Sequence, residues 1–408
     1  MTRRQPALLR CLLLAAAMLR IDAVTAGVWV TNPDVGLAGE FSTNPGLLYV
    51  PHTSQTDGAI LLDAPTTYHE DNESLSIQPS VRIASASGYS SLTSDYEHLN
   101  VVGEIDNELG SLTMTATIAR DSSLYYNYGL NGAAGVRRDT TSADLAWNRQ
   151  LTERLTFNWD INSSRVIYGQ GGTFTTLSDY HYSSAAPGLS WKADERTTLK
   201  LLSSVGLYQS TDGETKSVNS DVELGVVRQL TELWTFTADA GYSRQSDSVS
   251  TYEYIPVFIG PYLIGFEREF VNFKSTESGT VFTANLTRKG ELLSLTASAT
   301  RSVVPTGFAF LATQTSYGLN FDFPRTERWT FDGGIQRTTT KEPQAFGSLI
   351  NDSYTSEGLS ASWLVTQKWT LKLQLSRVNA HYSPPSVNVA STGVSIQLTR
   401  QLDPITWQ

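Results

Sequence analysis

The sequence predicts an all-β protein, an antiparallel transmembrane β-barrel of about 18 strands. Three observations carry this prediction. Apolar and polar residues alternate with a period of two, one turn phrase recurs along the chain, and tryptophans gather beside its copies. The 408 residues are 40% hydrophobic and only 17% charged, and no long amphipathic run has helical spacing. That composition argues against a helical protein.

Residues 1–26 form a separate segment. "MTRRQPALLR" is basic, "CLLLAAAML" is a short apolar core, and Val24-Thr25-Ala26 offers small residues ahead of Gly27. This is the pattern of a cleaved export signal, with an apolar stretch well below the roughly 20 residues of a spanning helix. Residues 27–408 are then expected to form one barrel. The only cysteine, Cys11, lies in the leader after Arg10, so neither a lipid anchor nor a disulfide is expected. The chain carries −10 formally; the leader contributes +3, which leaves −13. Nucleic acid is therefore an unsuitable partner, because phosphate binding needs a basic surface.

The first strand is read near "DVGLAGEFS" at Asp34 and the last at "GVSIQLTRQL" from Gly393. Between them "RQLTERLTFNWDI" from Arg149, "RQLTELWTFTADA" from Arg228, "PRTERWTFDGGI" from Pro324 and "VTQKWTLKLQL" from Val365 repeat one phrase. After each turn the residues alternate. Leu155, Phe157, Trp159 and Ile161 share one face and Thr156, Asn158 and Asp160 the other. The same holds before the turns, as in "SADLAWNR" and "DVELGVVR", so each phrase is the polar turn of a hairpin. Eight such turns are expected near residues 69–73, 106–110, 149–153, 192–197, 229–232, 288–291, 324–328 and 366–368, separated by longer, more variable connections. If residues 34–68 lie outside the barrel, the count becomes 16. Pro404 is expected to end the last strand near Leu402, because proline cannot donate to a ladder.

A soluble β-sandwich or solenoid could use the same alternation. Segments of about ten residues exceed the usual strand of five or six. Trp147, Trp191, Trp234, Trp329, Trp363 and Trp369 all fall at strand ends beside short turns, where an interfacial aromatic girdle belongs. If the apolar face meets lipid, Asp144, Asp160, Glu223, Asp239, Asp322 and Asp332 line the lumen together with Lys200, Lys372 and Arg82. Such a wall favours cations or neutral hydroxylated molecules, unless the acids merely solvate it and pair with nearby bases. "STYEYIPVFIGPYLIGFEREFVNF" from Ser250 stands apart. Tyr252, Tyr254, Phe258 and Tyr262, with Phe266 and Phe270, could narrow the pore or stack on sugars; otherwise the segment prolongs a hairpin.

No chemistry of catalysis is legible. His52, His69, His98, His181 and His381 are scattered without metal-ligand spacing, and neither a nucleophile elbow nor a phosphate loop occurs. No cofactor or metal is expected.

At "STNPGLLY" (42–49), "RDSSL" (120–124), "RRDT" (137–140) and "LAWNRQLTERLTF" (145–157) the chain resembles a group of proteobacterial outer-membrane β-barrel porins found with exopolysaccharide biosynthesis and export genes. The resemblance covers most of the chain as a rhythm, and only these words are distinctive. It implies a bacterial outer-membrane barrel assisting export of a polysaccharide, with outer-membrane lipid, the polymer and periplasmic export components as partners and no catalytic residues. The chain departs from the usual aromatic C-terminal residue, ending at Gln408 after Trp407. A general diffusion porin for small solutes and a non-conducting adhesive barrel are the competing expectations.

Overall fold

A computed structural model describes residues 27–47, 54–87, 95–122, 136–169, 177–259, 262–341, 351–383 and 386–407. The leader lies outside them. Short strands open the chain: β1 (Val28–Thr31), β2 (Asp34–Ser42), β3 (Gln55–Asp63) and β4 (Thr66–Glu70). Longer ones follow, β5 (Glu73–Ser87), β6 (Tyr96–Asn107), β7 (Gly110–Ser122), β8 (Arg137–Gln150), β9 (Leu155–Tyr168) and β10 (Tyr180–Lys192). The next are β11 (Thr197–Ser210), β12 (Thr215–Gln229), β13 (Trp234–Ile259), β14 (Tyr262–Lys289) and β15 (Ser294–Pro305). The chain ends with β16 (Leu311–Pro324), β17 (Trp329–Lys341), β18 (Asn351–Thr366), β19 (Trp369–Tyr382), β20 (Val387–Gln401) and β21 (Ile405–Trp407).

Each strand pairs antiparallel with its neighbour, and β2 against β20 closes the sheet, Leu37 opposite Leu398 and Phe41 opposite Val394. The result is a closed 18-strand barrel. The 16-strand alternative fails because β2 and β3 are wall strands that pair with β20, with each other and with β5. Closure leaves no free edge around the band, which is what allows a sheet to sit in lipid.

The three remaining segments prolong the wall at the end of the short turns. β1 pairs with β4 and with β21, and β4 with the start of β5. β1 is separated from β2 by Asn32-Pro33, β4 from β3 by Ala64-Pro65, and β21 from β20 by a segment containing Pro404. Proline interrupts each ladder without ending it. The last wall strand ends near Leu402 as expected, with β20 stopping at Gln401, but pairing resumes beyond Pro404 at Ile405, and the Trp407 ring stacks on Trp29 at 6.4 Å.

All eight predicted turns are hairpin turns between strands; seven join consecutive wall strands, and the one at 69–73 joins β4 to β5. Their chemistry explains the repeated phrase. The Thr152 hydroxyl accepts from the backbone N–H groups of Arg154 and Leu155, Thr231 from Leu233 and Trp234, and Thr326 from Arg328 and Trp329. Thr366 accepts from Lys368, and Asp194 takes the same part by accepting from Arg196. A side-chain oxygen placed to satisfy the turn's own amides is the local device that makes threonine recur.

Candidate functional site: a lumen with two inward loops

The alternation gives the wall two surfaces. Leu37, Ile60, Ile83, Leu201, Leu224, Leu319, Leu359 and Ile396 lie exposed on one. The other carries the polar set, and contacts between non-neighbouring strands identify it as concave. Lys200 on β11 reaches Asp239 on β13 at 3.7 Å, and Arg82 on β5 reaches Glu40 on β2 at 3.2 Å, each passing over an intervening strand. Gly225 makes the first possible. It stands in register between Lys200 and Asp239, and a Cβ there would meet the aspartate. Arg138 binds both Asp121 oxygens at 3.0 Å on the same surface.

Each of the nine charged residues expected in the lumen is on the concave surface by register. Asp144 accepts from Asn162, Asp239 faces Lys200, and Asp332 accepts from Ser360. Asp322 stands directly opposite Asp332. Lys372 and Asp332 share a recess of about 460 Å³ with Asn320, Ser360 and Gln374. Asp160 stands opposite Ala146 and Ala186, and Glu223 opposite Leu202 and Gly241, so neither faces a cation in register.

The six tryptophans are on the convex surface beside the short turns. Trp329 and Trp363 are paired in register and stacked at 5.5 Å, Trp147 meets the edge of Phe157, and the Arg400 guanidinium lies 5.6 Å over Trp369.

The 250–273 segment does not form a separate loop. Its backbone continues β13 and β14 as one hairpin paired to Ile259 opposite Tyr262. The side chains of Tyr252, Tyr254, Phe258, Tyr262, Phe266 and Phe270 lie outside the described residues. Pro256 is admissible because the ladder with β12 ends where Thr215 stands opposite Val249, leaving β13 beyond that point a neighbour on one side only.

Residues of two other connections fold inward, and neither was expected to enter the lumen, although one holds the distinctive word "STNPGLLY". Between β15 and β16, residues 306–310 cross to the wall of β9, β10 and β11. The Tyr208 hydroxyl donates to the Thr306 carbonyl at 3.2 Å, the Ser178 amide to Gly307 at 2.7 Å, and the Gln245 amide on β13 to Leu311 at 3.1 Å. Leu311 is 0% exposed and packs with Val166, Tyr180 and Tyr208, bordered by Tyr168, Tyr182 and Val303. From the opposite side, Leu47 in the β2–β3 connection packs on Tyr354, Ala380 and Val389 of β18 to β20, and its carbonyl accepts from Tyr382 at 3.3 Å. Residues 306–310 reach across the concave surface and Leu47 lies against its wall, both at the end remote from the short turns, so the lumen is lined over that stretch by loop as well as wall. The residues that carry this arrangement are Tyr208, Gln245, Leu311, Leu47 and Tyr382. A five-residue connection such as "TGFAF" carries no local sign that its partners lie on distant strands.

A closed antiparallel barrel with an even number of strands, short turns at one end, an apolar outside and a polar inside is an outer-membrane barrel of bacteria. No protein-family model matches the chain, and no curated protein does, so the resemblance to the exopolysaccharide-associated group finds no support there. Among solved structures, Pseudomonas aeruginosa OpdK with vanillate is similar at 11% identity and a TM-score of 0.44, covering 92% of this chain and 99% of that one. P. aeruginosa OccK2 with glucuronate matches at 10% and 0.43, covering 93% and 99%. Acinetobacter baumannii OccAB2 matches at 10% and 0.44, covering 91% and 98%.

Proposed function

We propose that this barrel is a diffusion porin for small polar solutes, with a preference for cations and neutral molecules. The observation that carries the reading is the lumen itself. Its cations Arg82, Arg138 and Lys200 are tied to carboxylates and Lys372 stands opposite Ser362 and Gln397, whereas Asp160, Glu223 and Asp322, which outnumber it, project without a cationic partner. A corridor with surplus negative charge and low-dielectric walls concentrates cations and repels small anions. Hydroxyl and amide groups on the same surface, such as Asn158 with Ser190 and Asn100 with Thr117, offer weak, exchangeable hydrogen bonds to neutral solutes. The conduit performs no bond chemistry; its selectivity is a matter of size and field.

The inward loops favour short solutes over a polymer in transit, because both must be passed at the same end. The exopolysaccharide-export reading shares the polar wall but has no feature of its own in support. Liposome swelling separates them. Small sugars are expected to enter, with uptake falling steeply as the oligosaccharide lengthens. Equal uptake of long and short oligosaccharides would overturn the small-solute reading, and a barrel that neither swells liposomes nor conducts in planar bilayers would overturn the porin reading altogether.

A further inference from the structure

The convex surface changes character along β12, β13 and β14. On β13 the outward residues Trp234, Phe236, Ala238, Ala240 and Tyr242 are followed by Arg244, Ser246 and Ser248. On β12 the apolar Val226, Leu224 and Val222 give way to Ser220 and, past Val218, to Lys216. On β14 Leu286, Ala284 and Phe282 give way to Thr280, Ser278, Thr276 and Lys274. Register brings these together: Lys216 is opposite Ser248, and Ser248 opposite Lys274, while Arg244 is flanked by Ser220 and Ser278. Lys216, Arg244 and Lys274 are all exposed.

The patch has cations and hydroxyls on its face and no carboxylate. The acids at this level alternate to the lumen, Asp221 bonded to Ser204 and Asn219, Asp247 buried, and Glu277 opposite Gln245. Glu214 stands above the patch in the β11–β12 turn. Of the other outward cations, Arg120 and Arg137 bind Asp139, Arg120 also binds Glu97 and Arg377 is opposite Glu357. Arg165, Arg301 and Arg337 have no carboxylate opposite them but are not gathered with a second cation in register. An uncompensated cationic patch on a chain of net charge −10 calls for an anionic partner.

Its height selects the partner. From Trp234 to Arg244 the strand rises about 33 Å, or about 25 Å along the membrane normal at the usual tilt, which is the full height of a barrel's apolar band. Arg244 therefore sits at the outer edge of the lipid, and the two lysines stand about 10 Å further out, at headgroup depth. We infer that Lys216, Arg244 and Lys274, with Ser220, Ser246 and Ser248, form a binding site for the phosphorylated sugar headgroup of an outer-leaflet glycolipid. Arg244 and the lysines meet phosphates, and the serines meet sugar hydroxyls.

The purified barrel in detergent is mixed with bisphosphorylated lipid A, or with the same lipid enzymatically stripped of phosphate, and retained lipid is read by native mass spectrometry. Wild-type barrel is expected to retain the phosphorylated form selectively. Replacing Lys216→Gln, Arg244→Gln and Lys274→Gln together is expected to weaken retention by about tenfold or more, and the charge-conserving Lys216→Arg, Arg244→Lys, Lys274→Arg chain to restore it. Heat-modifiable gel migration confirms folding of each variant. Equal retention of both lipids, wild-type retention by the neutralised chain, or an equal loss on replacing Arg337 and Arg377 by glutamine instead would each overturn the assignment.

Discussion

Leu47 and Ala309 are the non-glycine residues with positive φ among those described, +48° and +67°, and each lies in one of the two inward loops. A side chain in that region costs about 1–2 kcal/mol, so the fold tolerates it where surrounding contacts over-determine the backbone. Leu47 has such contacts in its own buried side chain; Ala309 sits between the stacked Phe308 and Phe310 rings and has little to lose. Ala309→Gly is therefore expected to raise stability by up to about 1 kcal/mol, whereas Leu47→Gly is expected to lower it by about 2–3 kcal/mol through lost packing; urea titration of the folded barrel in lipid reads both. The turn oxygens give a second pair of expectations. Thr231→Val removes the acceptor for Leu233 and Trp234 and should cost up to about 1 kcal/mol, with Thr231→Ser restoring it. Asp194 is held below the ordinary carboxylate value chiefly by the Arg196 backbone amide. A depressed folded pKa means its contribution is complete above about pH 4 and fades as pH falls through the folded value. The melting difference between wild type and Asp194→Ala should accordingly be constant at neutral pH and shrink only in acid. A difference that grows in acid would contradict the assigned donor.

Elements differ in how far local sequence could reveal them. The strands and eight turns were legible because their determinants are local: a two-residue period and, at five of the turns, a threonine or aspartate positioned to cap its own turn. The β13–β14 hairpin was harder, since aromatic and proline residues imitate a loop, yet beyond Val249 the strand has only one neighbour and proline does no harm. Pro404 marked the end of β20 correctly but hid β21, because a ladder can skip a few residues and resume, as β21 does on β1. The inward loops were not legible at all. Their positions depend on Tyr208, Gln245 and Tyr382, which are distant in sequence and, read singly, are ordinary wall residues. If residues 306–310 narrow the lumen, replacing them by a two-residue Asn-Gly turn should increase single-channel conductance and admit longer oligosaccharides, with the barrel still heat-modifiable. Unchanged conductance in a folded variant would mean that the narrowest point lies elsewhere.

At the scale of the whole molecule, the closed wall separates two electrostatic tasks. Carboxylates that would be prohibitive against lipid alternate to the inside, where water and the Asn, Ser and Thr side chains around them keep them solvated. Because the wall is only one residue thick, the charge a solute meets is set by a few positions rather than by net charge. Asp160, Glu223 and Asp322 are the test, being inward and unpaired, whereas Asp239 is held by Lys200 over Gly225. Under a potassium chloride gradient the wild-type reversal potential should have the sign of cation preference. Neutralising the three to Asn, Gln and Asn should move it toward zero, and the shift should shrink at high salt as the field is screened over about 3 Å at 1 M. Gly225→Ala should act on the ion pair alone: by pushing Asp239 away from Lys200 it frees both charges, so the net lumen charge is conserved and the reversal potential should move far less than in the triple variant. A large shift from Gly225→Ala with none from the triple variant would place the selectivity in the ion pair rather than in the unpaired acids.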